Sequence, residues 1–162
     1  MRLFILRHGQ ASYQAASDAE RELTERGRLE TAQIVQEHLV SLEYPPAIVS
    51  SPYVRAQQTA LIAAQELGLD KSETDAIEQS PWLELRSESA PEQTIARIEQ
   101  WFAQQPTRDL LCVSHQPLVG QVTNILAGLT PGRHMMGTSA LACLEGDDCL
   151  PACMDLLALH QP

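Results

Sequence analysis

The sequence predicts an α/β fold: a three-layer α/β/α sandwich with a mostly parallel central sheet and an antiparallel edge strand. Two observations favour it. Short, continuous apolar runs, typical of strands buried on both faces, occur at residues 3–6, 47–49 and 110–113. Longer segments follow them, with apolar residues at steps of three and four that indicate amphipathic helices. Alternation of strand and helix along a chain is typical of parallel sheets covered by helices on both faces.

The first strand ends in Arg7, His8 and Gly9, and Gly9 would let the backbone turn sharply behind the two polar side chains. The polar residues 10–23 show no sustained period, so we expect a loop over the end of this strand. A helix is predicted from about Thr24, ended by Tyr44-Pro45-Pro46. Its predicted apolar stripe consists of Leu29, Ala32, Val35, Leu39 and Leu42.

The second strand, residues 47–50, leads directly into a predicted helix. Ser51 is the expected N-cap and Pro52 lies in the first turn, so Arg55 falls near the helix start. Gly68 would end this helix. Its expected inner face consists of Ala56, Ala60, Ala63 and Leu67.

The later elements repeat the design. Either residues 76–78 or residues 82–85 are expected to contain a strand, and a helix begins near Pro91 with Ile95, Ile98 and Phe102 inward. The strand at 110–113 ends in Ser114 and His115, and Pro117 opens another helix. A final pair of strands is predicted at 139–144 and 154–159, which gives the sheet an edge.

Length and charge limit the possible functions. The 162 residues suggest one domain, 1–162, and a net charge of -10 with a pI near 4.8 argues against a nucleic-acid partner. The apolar run before Arg7 is too short for a secretory signal and no later run approaches a membrane span. We therefore expect a cytoplasmic monomer with no membrane association.

The four cysteines, Cys112, Cys143, Cys149 and Cys153, are expected to be reduced structural thiols. Cys149 and Cys153 with His160 fit no common zinc spacing, and no cysteine is followed by an arginine six residues later as in a cysteine-nucleophile phosphate loop. We predict no metal and no cofactor.

Polar side chains follow three of the predicted parallel strands, and the carboxyl ends of such strands share one edge of the sheet. Arg7, His8, Arg55 and His115 are therefore expected to meet in one crevice. Guanidinium groups bind phosphate oxygens bidentately, and a neutral imidazole can attack phosphorus. The prediction is a phosphoryl-transfer site with His8 as the nucleophile. It fails if the two imidazoles lie apart, or if an ion pair of either arginine closes the crevice.

Three motifs resemble one known family in combination. They are Leu-Arg-His-Gly at 6–9, Ser-Ser-Pro-Tyr-Val-Arg-Ala-Gln-Gln-Thr at 50–59 and Ser-His-Gln-Pro-Leu-Val-Gly at 114–120. Together they resemble the histidine phosphatase superfamily, which includes the phosphoglycerate mutases. The small size and the stretch from Ser17-Asp18 to Gly27 resemble its SixA branch, the small bacterial phosphohistidine phosphatases. The resemblance implies a phosphoglycerate mutase-like fold.

The resemblance to this superfamily also implies a role for each site residue. His8 would accept the phosphoryl group, Arg7 and Arg55 would bind its oxygens, and His115 would stabilise it in transfer. Arg21, in the loop, is expected either to reach the pocket rim and bind phosphate or to pair at the surface with Asp18 or Glu22.

Two departures from the family pattern bear on the substrate. Position 10 is Gln10 where the family often has an acidic residue. Many relatives also have a glutamate that protonates an alcohol leaving group; Glu84 and Glu88 occupy that region without the expected flanking glycines. Without an acid, an alkoxide leaves poorly, whereas an imidazole protonated on its ring leaves readily.

The sequence thus favours a phosphatase acting on a histidine-phosphorylated signalling or phosphotransfer protein. Two alternatives stay open: a small-molecule phosphomonoesterase or mutase of the same superfamily, and a non-catalytic phosphate-binding module.

Overall fold

In the computed structural model, the described residues are 1–84 and 90–162, and their strands form one sheet between two layers of helices. The strands are β1 (Arg2–Arg7), β2 (Ala47–Ser50), β3 (Glu78–Gln79), β4 (Leu110–Ser114), β5 (Leu141–Glu145) and β6 (Asp155–His160). The helices are α1 (Glu25–His38), α2 (Val54–Glu66), α3 (Lys71–Asp75), α4 (Pro91–Gln104) and α5 (Leu118–Leu126). Single 3₁₀ turns lie at Asp18–Glu20 and Pro81–Leu83.

The strand order is β3-β2-β4-β1-β5-β6. Strands β3, β2, β4 and β1 pair in parallel, whereas β5 runs antiparallel to both of its neighbours, β1 and β6. The prediction of a mostly parallel sheet with an antiparallel pair at one edge is therefore confirmed. The carboxyl ends of β1, β2 and β4 lie side by side.

Helices cover both faces of the sheet because successive side chains of a buried strand point to opposite sides. On one face Leu3 and Ile5 of β1 pack with apolar residues of α4 and α5. On the other, Phe4 and Leu6 pack with α1 and α2. These two cores confirm the three-layer prediction. No helix in the described ranges is both long and apolar enough to cross a membrane.

Helix α1 is shorter than predicted, and its buried face agrees with the predicted stripe only in part, since Val35 and Leu39 are buried as expected. The helix begins where predicted, with Thr24 as the N-cap whose hydroxyl accepts from the Gly27 amide at 3.1 Å, but it ends at His38 rather than near Tyr44. Leu29, predicted on the inner stripe, is 63% exposed. The reason is a close contact with the loop after β1, which requires small residues on the inner face. The buried residues of α1 are Gly27, Thr31, Ile34 and Val35.

Gly9 and Gly27 make this contact possible. A Cβ built on Gly27 would lie 2.2 Å from the Gln10 carbonyl oxygen, and one on Gly9 would lie 2.6 Å from the Gly27 carbonyl oxygen. Neither glycine has a positive φ. Gly9 is therefore not required for a left-handed backbone conformation; its missing side chain allows the loop to lie directly on α1.

Two further predictions are corrected. Helix α2 begins at Val54, with Tyr53 at the N-cap position, not at Ser51. A strand at 82–85 is wrong for its described part, since Pro81–Leu83 forms a 3₁₀ turn, and Leu85 lies outside the described residues. The edge strand is β3, which overlaps the alternative segment 76–78 at Glu78 alone. Helices α4 and α5 begin as predicted.

Candidate active site

Strand register places the two predicted histidines next to each other. Arg7 of β1 pairs with Ser114 of the parallel strand β4, so His8 and His115 both occupy the next position along the chain. The His8 amide donates to the Ser114 carbonyl at 3.0 Å, and the two imidazole centroids lie 5.0 Å apart. The imidazoles share one side of the sheet.

All four predicted site residues line one cavity of about 690 Å³ at this edge of the sheet. Among the residues that the structure describes around it, three are arginines and one is a carboxylate, Asp18. Two positive charges are thus left uncompensated in a protein whose net charge is -10. The lining consists of Arg7, His8, Gln10, Ala11, Ser12, Tyr13, Gln14, Asp18, Arg21, Thr24, Arg55, His115, Gln116 and Thr138.

The hydrogen bond of His8 to the backbone fixes which ring nitrogen is protonated. Its Nδ1 lies 2.7 Å from the Gly9 carbonyl oxygen, and because a carbonyl only accepts, Nδ1 must bear the proton. Nε2 therefore keeps its lone pair. Burial, with added repulsion from Arg55 and Arg7, lowers the pKa of His8 to about 4 despite the opposing effect of the Gly9 hydrogen bond. His8 is thus a neutral potential nucleophile near neutral pH.

Arg55 comes from the first turn of α2 and is almost completely buried, at 2% exposure. Its Nε donates to His8 Nε2 at 3.3 Å, while its two terminal nitrogens donate to the backbone carbonyl and the carboxylate of Asp18. The ion pair with Asp18 measures 3.0 Å and lies beside the cavity, which remains open. The guanidinium thus contacts the potential nucleophile directly.

Arg7 lies at the last position of β1 and is held by the chain before β5. Its Nη1 donates to the Met136 carbonyl at 2.7 Å, whereas its buried Nε has no hydrogen-bond partner among the described residues. Burial and the charge of Arg55 lower the pKa of Arg7. An arginine nonetheless stays protonated at neutral pH, so this side chain keeps a charge and an unused donor beside the cavity.

His115 is completely buried and neutral. Burial, together with His8 and Arg55, lowers its pKa to about 2. A hydrogen bond of 2.7 Å joins its Nε2 to the hydroxyl oxygen of Ser51, and its Nδ1 has no partner among the described groups.

Arg21 combines both of its predicted positions. It lines the cavity and also pairs with Asp18, at 3.0 Å. Its other nitrogens donate to the carbonyls of Ala11 and Ser12, and its guanidinium lies 4.3 Å from the centre of the Tyr13 ring. Hydrogen bonds from Arg21 and Arg55 outweigh the opposing effect of partial burial and lower the pKa of Asp18. Asp18 therefore links both arginines as a charged carboxylate.

The two candidate acids are not part of the described cavity wall. Glu84 is buried directly after the 3₁₀ turn and does not line the cavity. Glu88 lies outside the described residues. Gln10 lines the cavity, and its side-chain oxygen accepts from the Thr24 hydroxyl at 2.8 Å. Its amide adds no charge to the cavity.

Sequence reasoning assigned no site role to Asp18 or Ser51. Both residues lie in stretches that resemble the family, but Asp18 is predicted there as a surface partner of Arg21 and Ser51 as a helix cap. The signal for Asp18 was present, because a polar loop over a strand end places its carboxylate near arginines. Nothing in the sequence shows that Ser51 turns toward His115, since this depends on the alignment of β2 with β4.

The cysteines and the remaining histidines lie outside this cavity. All four cysteines are free, and burial raises the pKa of Cys143 to about 11 and, with Glu99, that of Cys149 to about 12. His38 and His160 stack on each other, with centroids 3.5 Å apart. The described parts of the chain contain no group of three or more side chains suited to a metal ion.

A doubly covered, largely parallel sheet with cationic and imidazole side chains at its carboxyl edge defines an α/β enzyme that handles an anionic group. Comparison with known proteins specifies the class. The profile of the histidine phosphatase superfamily (branch 1) matches residues 3–108. The chain belongs to this superfamily and is a phosphatase, a hydrolase.

The individual relatives agree. The chain is 33% identical over 152 residues to the phosphohistidine phosphatase SixA of Escherichia coli K12, covering 91% of this chain and 87% of that protein. It is 32% identical over 133 residues to a SixA homolog of Haemophilus influenzae, covering 79% and 78% of the two chains. Among solved structures, the protein histidine phosphatase SixA complexed with tungstate superimposes with a TM-score of 0.83 and 29% identity, covering 100% and 97%.

Proposed function

We propose that this phosphatase removes phosphate from a histidine-phosphorylated signalling or phosphotransfer protein, through a phosphohistidine formed at His8. The observation that carries the proposal is the His8 tautomer. Its Nδ1 donates to the Gly9 carbonyl, so Nε2 is the unprotonated ring nitrogen. His8 lines a cavity whose described residues leave two positive charges uncompensated. A phosphoryl group with two negative charges complements such a cavity.

The chemistry proceeds in two displacements. The His8 Nε2 lone pair attacks phosphorus, and the electrons of the substrate's P–N bond pass to the leaving imidazole, which leaves neutral because its other ring nitrogen already bears a proton. Water then attacks phosphorus, the bond to Nε2 breaks, and inorganic phosphate is released as the imidazole regains its lone pair. Arg7 and Arg55 bind the equatorial oxygens and offset their charge during both steps.

The described cavity wall favours a P–N bond over a phosphate ester. An ester needs an acid to protonate the departing alkoxide. The carboxylate among the described lining residues is Asp18, whose two ion pairs and lowered pKa keep it deprotonated. A ring-protonated phosphohistidine needs no such acid.

The relatives give independent support. Two curated relatives that match most of this chain are named as a phosphohistidine phosphatase and its homolog. The similar structure with tungstate contains an oxyanion that resembles phosphate in shape. We expect this chain to act on the same class of substrate, as a cytoplasmic monomer.

The proposal is tested by a substrate panel with inorganic phosphate as the readout. A histidine-phosphorylated protein, phosphoramidate, an aryl phosphate and phosphoglycerate are compared at equal concentrations with wild-type enzyme, His8→Ala and the control His134→Ala. We expect the phosphohistidine protein to give the highest kcat/KM, with His8→Ala inactive and the control unaffected. Faster turnover of phosphoglycerate or the aryl phosphate would show a small-molecule phosphatase or mutase. No turnover of any compound would show a binding module.

A further inference from the structure

His115 is the one histidine beside His8 in the cavity, and Ser51 is its hydrogen-bond partner within the described structure. Both residues are completely buried, so water does not replace this contact. Ser51 directly follows β2, in which Ser50 pairs with Val113 of β4. The Ser51 amide donates to the Val113 carbonyl at 2.9 Å. The sheet itself therefore sets the distance between Ser51 and His115.

The direction of the hydrogen bond follows from the other contact of the hydroxyl. The Tyr53 amide donates to the Ser51 oxygen at 3.3 Å, and an amide N–H only donates. The hydroxyl hydrogen then needs an acceptor, because a buried donor without one is unfavourable. His115 Nε2, at 2.7 Å, is such an acceptor.

The protonation of His115 follows in turn. If Nε2 accepts, a neutral imidazole must bear its proton on Nδ1. This nitrogen is buried and has no hydrogen-bond partner among the described residues, although its ring lines the cavity. An N–H there attracts a phosphoryl oxygen, whereas the lone pair of the other tautomer would repel it.

We propose that Ser51 is a positioning residue that holds neutral His115 in its Nδ1–H form, so that this N–H donates to a bound phosphoryl oxygen. The donation to a substrate rests on the proposed function, whereas the tautomer does not.

The test begins with the tautomer. Two-bond ¹H–¹⁵N spectra of the uniformly labelled protein, with His115 signals assigned from a His115→Gln variant, distinguish protonated from unprotonated ring nitrogens. We expect Nδ1 protonated in the wild type and the preference lost in Ser51→Ala. Ser50→Ala is the control, because this neighbouring buried serine bonds to the Ser51 carbonyl and not to His115. A wild-type signal with Nε2 protonated would overturn the inference, even if Ser51→Ala fails to fold.

The second measurement is binding of inorganic phosphate, followed by calorimetry or by the His8 and His115 shifts. We expect Ser51→Ala to weaken binding on the order of 10-fold or more, Ser51→Thr to retain part of it, and Ser50→Ala to match the wild type. Unchanged phosphate affinity in a folded Ser51→Ala variant would overturn the role in oxyanion binding. Because inorganic phosphate serves as the probe, the binding comparison can be interpreted even if the protein does not hydrolyse phosphohistidine.

Discussion

At the scale of single residues, the site depends on two buried imidazoles whose hydrogen-bond partners differ. The Gly9 carbonyl accepts from His8 Nδ1, which leaves a lone pair on Nε2, whereas Ser51 bonds to Nε2 of His115. One ring is thus suited to attack and the other to donate. Their low pKa values follow from burial beside arginines, so both rings are neutral at pH 7.

Replacing Arg55 tests the charge that faces the phosphoryl group. Arg55→Ala removes a guanidinium that contacts His8 Nε2, and we expect kcat/KM to fall on the order of 10²-fold or more. The control is Arg26→Ala, which removes an exposed arginine that pairs with Glu30 four residues later. Circular dichroism shows whether each variant is folded. Near-normal activity in folded Arg55→Ala would contradict a role in binding the transferring group.

The buried histidines also predict how stability depends on pH. An unfolded histidine binds a proton near pH 6.5, whereas folded His8 does so only near pH 4. As pH falls through this window the unfolded state takes up the proton first, so the free energy of unfolding decreases. Urea titrations between pH 7 and pH 4 should show a shallower decrease in His8→Gln. An unchanged slope would mean that His8 titrates normally in the folded protein.

At the scale of elements, the loop at 10–23 is positioned by its contact with α1. Gly27 approaches the Gln10 backbone so closely that a methyl group would overlap it. Thr59 of α2 holds the same region, its hydroxyl accepting from the Gly9 amide at 3.1 Å and donating to the Arg55 carbonyl at 2.8 Å. The loop bearing Asp18 and Arg21 is therefore fixed to both helices on this face.

Gly27→Ala tests this contact. The added Cβ meets backbone atoms, so we expect a loss of about 1–3 kcal/mol in the free energy of unfolding, with weaker phosphate binding as the loop shifts. Gly137→Ala is the matched control, because there the nearby atoms belong to the flexible end of the Gln161 side chain. Equal stability of the two variants by urea denaturation would show that the loop adjusts without cost.

The elements also show what the sequence could predict. Strands β1 and β4 were predicted within one or two residues, because four bulky apolar residues in a row between polar ends have few other interpretations. The inner face of α1 was predicted only in part. Val35 and Leu39 are buried as expected, whereas Leu29 is exposed and the smaller Gly27 and Thr31 are buried against the β1 loop. Hydrophobicity alone does not reveal a helix face that is selected for small size.

At the scale of the whole molecule, the parallel alignment of β1, β2 and β4 brings residues 7, 8, 55 and 115 to one cavity from distant parts of the sequence. The same alignment places Ser51 within hydrogen-bond distance of His115. The four predicted site residues, Arg7, His8, Arg55 and His115, could be found from the sequence because strand ends in such a sheet converge. The hydrogen bonds and ion pairs that orient these four side chains could not be predicted, since each depends on register between strands or on the path of a loop. Ser51 and Asp18 are the two examples.

The cysteines test how tightly the molecule is packed. Burial raises the pKa of Cys112 and Cys149, whereas Cys153 is exposed, and the thiolate is the reactive form. We expect iodoacetamide at pH 8 to label Cys153 in the folded protein without loss of activity, and Cys112 and Cys149 only in urea. Mass spectrometry of the labelled peptides gives the answer. Rapid labelling of Cys149 in native buffer would contradict the packing described.

Trapping the phosphorylated enzyme tests the central claim most directly. The protein is mixed with a radiolabelled phosphohistidine protein, quenched in alkali, separated from the substrate and examined for bound label. We predict label that is stable to base, labile to acid, retained in His134→Ala and absent in His8→Ala. Label that persists in His8→Ala, or that survives acid, would contradict a phosphohistidine at His8.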